Sequence, residues 1–386
     1  MAQNRRIVLL INPSRQYTRG VLSGIAEYAR LQGLWTFYRP LEYRERKAGR
    51  RLLPVLKALK PDGIIMREPP ETRAIVKMGV PTVCFPYSRE TMEGVANVIT
   101  DHKAVARMAA DHLLNLGLRH FAYCGFGDWW WSRRRRDRFC EAVSQAGFKA
   151  EIYRLSSPRS EQTWDKELPR IIDWLRHLPK PVGIMACNDD RGELVIDACK
   201  MDGLKVPDEV AVVGVDNDTL ICDLCSPPLS SVAENLQRIG YEAAETLDRM
   251  IKGVEEGRPT LCIRPTHVVA RQSTDVLAMD DPDVVTALRF IRERVRLNIG
   301  VQQVVEVTKL SRRALEQRFR HALGHSIHGE IQRVRLELLE RMLIETNKSV
   351  TEIATMLGFP DAAHISRLFR KAKGISPMMY RRQRRC

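Results

Sequence analysis

The chain has 386 residues, with 62 Lys and Arg against 47 Asp and Glu, a formal net charge of +15. An apolar content of 44% excludes wholesale disorder, and the length exceeds what one core usually holds, so two or three domains are expected. The basic excess points to an anionic partner, nucleic acid first. It is also uneven: residues 281–386 carry 21 Lys and Arg against 11 Asp and Glu, a net of +10, and the first 280 residues only +5.

Arg5 and Arg6 precede only the five apolar residues 7–11, too short for a secretory core, so no leader is expected. No run approaches the ~20 apolar residues of a membrane span, so no membrane is expected as partner. The nine cysteines are taken as scattered small core hydrophobes, with neither a zinc site nor a disulfide framework. A reduced, cytoplasmic protein is expected.

Residues 7–11 form an unbroken apolar run, as a strand covered on both faces does. Val21, Ile25 and Tyr28 then recur at helical spacing over residues 18–31. Strands follow at 63–66, 82–85 and 121–124, with a helix over 104–116 that Gly117 suits as a stop. The second series reads as helices 132–146 and 164–178, strand 182–186, helix 191–201, strand 210–215, helix 236–251 and a strand near 266–270. Strand–helix alternation predicts α/β architecture with two doubly wound parallel-sheet lobes. Ligands in such folds sit beyond the carboxyl ends of strands. The junction falls over 276–285, where acidic residues and Pro282 follow a polar stretch. That divides the chain into a two-lobed α/β domain over 1–275 and an all-α domain over 286–386.

Within the basic all-α domain, a single pattern occurs twice. A short amphipathic helix at 301–307 leads through Thr308-Lys309-Leu310 to Ser311, a plausible cap for a helix over 312–322. Leu315 and Phe319 face inward, and Arg312, Arg313 and Arg320 face outward. In the second copy Ser349-Val350-Thr351-Glu352 is a capping box and Gly358 suits a left-handed stop. Asp361 then caps a helix over 362–372, with Ile365, Leu368 and Phe369 inward and His364, Arg367 and Arg370 outward. Helix, tight turn and a second helix bearing long donors suit a major groove. The candidate DNA-contacting residues are Ser311, Arg312, Arg313, Gln317 and Arg320 in the first copy, and Ala362, His364, Arg367 and Arg370 in the second.

Ile353-Ala354, Leu357-Gly358-Phe359, residues 366–371, Gly374-Ile375-Ser376-Pro377 and Tyr380-Arg381-Arg382 resemble the signature of AraC/XylS-type transcription regulators, and residues 310–319 are similar to that family's first recognition helix. The resemblance implies a double helix-turn-helix domain that usually activates transcription. Ala362-Ala363 stand where that family more often carries an aromatic pair. Asn188-Asp189, residues 213–217, residues 227–232, and Arg135 with Phe139 and Ala142 resemble the sugar-binding domain of LacI/GalR regulators and periplasmic sugar-binding proteins. LacI-type regulators carry their DNA-binding helices at the N-terminus, whereas here they come last. That order resembles the regulators of xylose operons, in which a LacI-like sensor precedes an AraC-like tail. Tyr17, Arg19 and Arg191 resemble that group too.

A sugar is chemically apt. A carboxylate accepts two hydrogen bonds from vicinal hydroxyls, and an arginine donates two. Asp189 and Asp216 follow strands, and Arg19, Arg135 and Arg191 are the donor candidates. Trp131, last of the run Trp129-Trp130-Trp131 in a chain of six tryptophans, offers a face for a pyranose. The candidate ligand residues are therefore Tyr17, Arg19, Trp131, Arg135, Asp189, Arg191 and Asp216. No P-loop, G-x-S-x-G or H-E-x-x-H occurs, and no catalytic residue, metal or cofactor is assigned. The expected partners are double-stranded DNA, a sugar (D-xylose by resemblance), a second copy of the chain, and RNA polymerase.

Overall fold

The computed structural model describes residues 4–32, 35–40, 52–127, 129–153, 164–255, 257–275, 281–297, 299–359 and 361–385. These divide into two compact units that change over in sequence between Thr274 and Asp275. Residues 276–280 of the expected junction lie outside the described residues.

The first unit alternates β1 (Arg5–Leu10), α1 (Gln16–Gln32), β2 (Trp35–Tyr38), α2 (Leu52–Leu59), β3 (Gly63–Met66), α3 (Thr72–Val76), β4 (Thr82–Cys84), β5 (Ala96–Thr100) and α4 (His102–Leu114). It continues with β6 (His120–Cys124), α5 (Trp130–Gln145), β7 (Ala150–Ile152), α6 (Trp164–His177), β8 (Val182–Ala186), α7 (Asp189–Met201) and β9 (Val210–Val215). Then come α8 (Thr219–Leu224), β10 (Ser230–Ala233), α9 (Leu236–Ile251), β11 (Thr260–Ile263) and β12 (His267–Val269).

Two six-stranded sheets result. The first has the order β2-β1-β3-β4-β5-β11 and the second β7-β6-β8-β9-β10-β12. All pairings are parallel except β10 with β12. Central strands are apolar throughout because helices cover both faces: all six residues of β9 are buried. The second sheet packs Ile184 and Val212 with Leu168, Ile171 and Val195. The first packs Ile7, Leu9 and Ile65 with Val21, Ile25 and Leu247. Helices α1 and α9 run in close contact. A Cβ on Gly24 would lie 2.0 Å from the Gln237 carbonyl oxygen, and one on Gly240 1.9 Å from that of Val21, so only glycine permits this approach.

The chain crosses between the lobes three times: after β5, between β10 and α9, and between β11 and β12. The carboxyl ends of both sheets therefore face a shared cleft, and those crossings form its hinge.

Several elements escape the hydrophobic periodicity. β10 is Ser-Ser-Val-Ala, too small to stand out, and β11 is alternately exposed. Helices also begin earlier than periodicity implies. The Asp101 side chain accepts from Ala104 N at 2.9 Å, starting α4 at His102, and Asn188 accepts from Arg191 N at 3.2 Å, starting α7 at Asp189.

The second unit is all helical: α10 (Pro282–Arg294), α11 (Val301–Glu306), α12 (Arg312–Leu323), α13 (Ile327–Glu345), α14 (Val350–Met356), α15 (Ala362–Lys373) and α16 (Pro377–Arg385). Side-chain caps set the starts: Ser311 accepts from Ala314 N at 3.3 Å and Asp361 from His364 N at 2.5 Å. Ser349 and Glu352 close a reciprocal box of 3.1 and 2.7 Å. Left-handed Gly324, Gly358 and Gly374 end α12, α14 and α15. Two small cores form. Leu315 and Phe319 of α12 pack with Val284, Leu288 and Val304, and Ile365 and Phe369 of α15 pack with Ile353, Leu357 and Tyr380. Helix α13 gives Ile327 and Ile331 to the first core and Leu339 and Leu343 to the second.

Candidate functional site

The cleft is built on the turn after β9. Asp216 and Asn217 both have positive φ, 100° and 51°. Two consecutive non-glycine residues there cost on the order of 1–3 kcal/mol each, and such strain gathers at working sites. The turn is held from below. Asp189 Oδ1 accepts from Ser231 Oγ and Oδ2 from Asp218 N, both at 2.6 Å, while Asn217 N donates to Ser231 Oγ at 3.0 Å. Burial pushes the Asp189 carboxyl up to about 7, against the pull of these hydrogen bonds.

Arg135, buried on α5, reaches over the same turn. Its guanidinium donates to the Cys187 carbonyl at 2.6 Å and to Glu234 Oε1 at 2.5 Å, and stands 3.8 Å from Asp216 Oδ1. It also lies 5.2 Å from the centre of the Trp131 ring. Burial and the neighbouring Glu234 carboxylate hold the Asp216 carboxyl well above its usual range. His102, whose Nδ1 accepts from Arg135 Nε at 3.4 Å, is kept neutral by burial and by Arg135.

The first lobe contributes Tyr17 at the start of α1 and Arg67 just past β3, with the Arg67 guanidinium 4.7 Å from the Tyr17 ring centre and 5.8 Å from that of Tyr87. Tyr87 in turn meets Trp129 across 5.2 Å. Burial, and the Glu234 and Asp216 carboxylates, push the Tyr17 hydroxyl up.

Of the sequence candidates, Tyr17, Trp131, Arg135 and Asp216 converge on the cleft, and Asp189 lies beneath it as the support of the strained turn. Arg19 sits at the rim, 44% exposed, 3.8 Å from Asp218 Oδ1. Arg191 points into the second lobe. It pairs with Glu167 at 2.6 Å and is sandwiched by Phe126 and Tyr153, whose centres lie 4.8 and 5.3 Å away. Because α7 begins at Asp189, its third residue turns toward α6 and away from the opening. Arg67, Tyr87, His102 and Glu234 complete the cleft without having been singled out, as does Trp129, noted only as part of its run. Arg67 directly follows a legible strand and could have been found. Glu234 follows β10, which could not.

The cysteines correct one expectation. Cys222 and Cys225 are not scattered but stand in C-x-x-C spacing. Both thiols are free and buried, and burial pushes Cys225 up to about 12 and Cys222 in the same direction. Among the described residues no group of three or more His, Cys, Asp or Glu is placed to hold a metal, and no helix is long and apolar enough to cross a membrane.

In the second unit, Ser311, Arg312, Arg313, Gln317 and Arg320 lie on the exposed side of α12, opposite buried Leu315 and Phe319. Arg318 is tied to Asp281 and Asp283 at 3.3 and 3.2 Å. On α15, Arg367 and Arg370 are exposed, while Ala362 and His364 are half-buried, His364 resting 6.1 Å from the Phe359 ring. Each helix thus presents a basic face behind a tight turn, the arrangement that enters a major groove.

A two-lobed binding cleft and a pair of helix-turn-helix motifs in one chain define the class: a DNA-binding regulator with a ligand-binding domain. Residues 110–274 match the periplasmic binding protein-like domain and residues 304–383 a helix-turn-helix domain. The xylose operon regulatory protein of Escherichia coli strain K12 is 30% identical over 98% of this chain and 97% of its own. That of Haemophilus influenzae is 31% identical over 98% of each. The solved structure of the xylose-binding transcription activator xylR superimposes with a TM-score of 0.62 at 30% identity, covering 99% of both chains. A cellobiose complex of the regulator CelR shares the fold of 71% of this chain, with a TM-score of 0.55 at 21% identity. The chain belongs to the xylose operon regulatory protein family of transcription regulators, which are not enzymes.

Proposed function

We propose that this chain senses a sugar, D-xylose first, in the cleft between its lobes and activates transcription of a sugar-catabolic operon from the cytoplasm. The observation that carries the reading is the meeting of Arg135 and Asp216 beneath the face of Trp131, opposite Tyr17 and Arg67. Vicinal hydroxyls would accept hydrogen bonds from the guanidinium and donate them to the carboxylate, while a ring C–H face lies on the indole. Residues 1–275 are the sensor, 276–285 the linker and 286–386 the DNA reader. Contacts to base edges and phosphates come from Ser311, Arg312, Arg313, Gln317, Arg320, Ala362, His364, Arg367 and Arg370. The active form is a homodimer that engages repeated half-sites beside RNA polymerase. Sugar closes the lobes, and the preference of the sugar for one state must appear reciprocally as a change in DNA affinity.

A thermal-shift panel of neutral pentoses and hexoses tests the sensing half. A true ligand at a hundred times its Kd adds ~2.7 kcal/mol, a rise of roughly 5–10 °C for a unit of this size. D-xylose should give the largest rise. A panel in which no neutral sugar moves the transition would contradict the reading.

A further inference from the structure

Arginines in a binding cleft ordinarily attract carboxylates and phosphates, because the guanidinium fork matches both bidentately. This cleft has two, Arg67 and Arg135, yet two carboxylates answer them. Asp216 stands 3.8 Å from Arg135, and Glu234 stands 2.5 Å from it with only 1% of its side chain exposed.

Glu234 holds an unusual position. It lies on the crossing between β10 and α9, at the hinge, and belongs to neither lobe wall. Its second oxygen accepts from Thr100 Oγ1 at 3.4 Å, and Thr100 ends β5 at another crossing. The carboxylate is thus tied to two hinge strands at one side and to the ligand-facing arginine at the other. A charge fixed at the hinge is present at the floor of the cleft whether the lobes are apart or together. His102, the titratable ring beside Arg135, is held neutral and adds no positive charge.

Resting on the sugar-sensing reading above, we propose that Glu234 is a specificity residue that restricts the cleft to uncharged sugars and excludes their acids and phosphates. A hydroxyl can accept from a guanidinium and donate to a carboxylate, so it gains from both members of the Arg135–Glu234 pair. A carboxylate or phosphate gains from Arg135 only what Glu234 and Asp216 leave uncompensated, and it meets two like charges beside the buried Arg135–Glu234 pair, where screening is weak. Removing the Glu234 charge while keeping its shape would leave Arg135 with a single, more distant counter-ion and turn the floor of the cleft into an anion site.

The experiment measures, by calorimetry on the full-length protein, the affinities for D-xylose, D-xylonate and xylitol, in the wild type and in Glu234→Gln and Glu234→Asp. Xylitol separates the open-chain shape of xylonate from its charge. The wild type is expected to bind D-xylose at least roughly 100-fold more tightly than D-xylonate, and xylitol more tightly than D-xylonate, the size expected when charge-assisted hydrogen bonds are forfeited. Glu234→Gln is expected to weaken D-xylose and strengthen D-xylonate, moving their ratio by roughly tenfold or more, and Glu234→Asp to restore the wild-type ranking. A merely structural role would lower both affinities together and leave the ratio unchanged, which would overturn the proposal. A wild type that binds D-xylonate within tenfold of D-xylose overturns it without any variant. A wild type that binds neither D-xylose nor xylitol, nor any other neutral sugar, contradicts the sensing reading itself.

Discussion

Asp216→Asn lowers sugar affinity by roughly 100-fold and leaves the fold intact. Hydrogen bonds to a charged group contribute about 1.5–3 kcal/mol each, and a carboxylate between two sugar hydroxyls makes two of them. Asparagine is the informative replacement. With φ at 100°, position 216 requires a residue that tolerates left-handed backbone, which Asn does and Ala does not. The variant therefore removes the charge without removing the turn that Asp189 and Ser231 hold. Calorimetric titration checks it, with the melting temperature of the free protein as control. The same carboxyl gives a pH dependence. Burial and Glu234 hold its pKa well above the usual value, so it takes up a proton at higher pH than an ordinary aspartate does. Protonation removes the charge that strengthens its hydrogen bonds from the sugar, so wild-type affinity should fall as pH drops through that raised value, and Asp216→Asn should show a flatter profile. Unchanged affinity in the variant would place the sugar elsewhere.

Phe369→Ala abolishes DNA binding and spares sugar binding. The ring is fully buried, meets Tyr380 edge-on at 5.2 Å, and packs among Ile353, Leu357 and Ile365. Truncating a buried Phe costs about 3–5 kcal/mol through lost transfer energy and the cavity left behind. That is a large share of the stability of any small domain. Helix α15, which carries Arg367 and Arg370, loses the apolar face that fixes it. Scanning calorimetry should show the transition of the helical unit moved down by more than roughly 10 °C or lost, while D-xylose still raises the transition of the two-lobed unit. Loss of the sugar-induced rise in this variant would mean that the two units do not fold separately.

How far the sequence foretells this architecture depends on packing. Strands covered on both faces, such as β1 and β9, declare themselves as unbroken apolar runs. The caps Ser311, Ser349 and Asp361 announce the helices they start, because the local hydrogen bond is written into neighbouring residues. By contrast β10 and β11 are strands only because a sheet edge or a small-residue core receives them, and nothing local distinguishes them from loop. Glu234 escapes notice together with β10. Arg191 illustrates the other limit. Its place after a strand is legible, but the direction of its side chain hangs on where α7 begins, and the Asn188 cap moves that start by two residues from the periodic one. Asp216 and Arg135 are legible because the strand before one and the helix carrying the other both follow clear patterns.

Coupling between the cleft and the reading helices is most directly tested by fluorescence anisotropy of the full-length protein on promoter DNA at fixed salt, with and without saturating D-xylose. The predicted result is a change in DNA affinity of roughly 5- to 150-fold on adding sugar, absent in Asp216→Asn. Equal DNA affinity with and without a sugar that calorimetry shows to be bound would contradict the account.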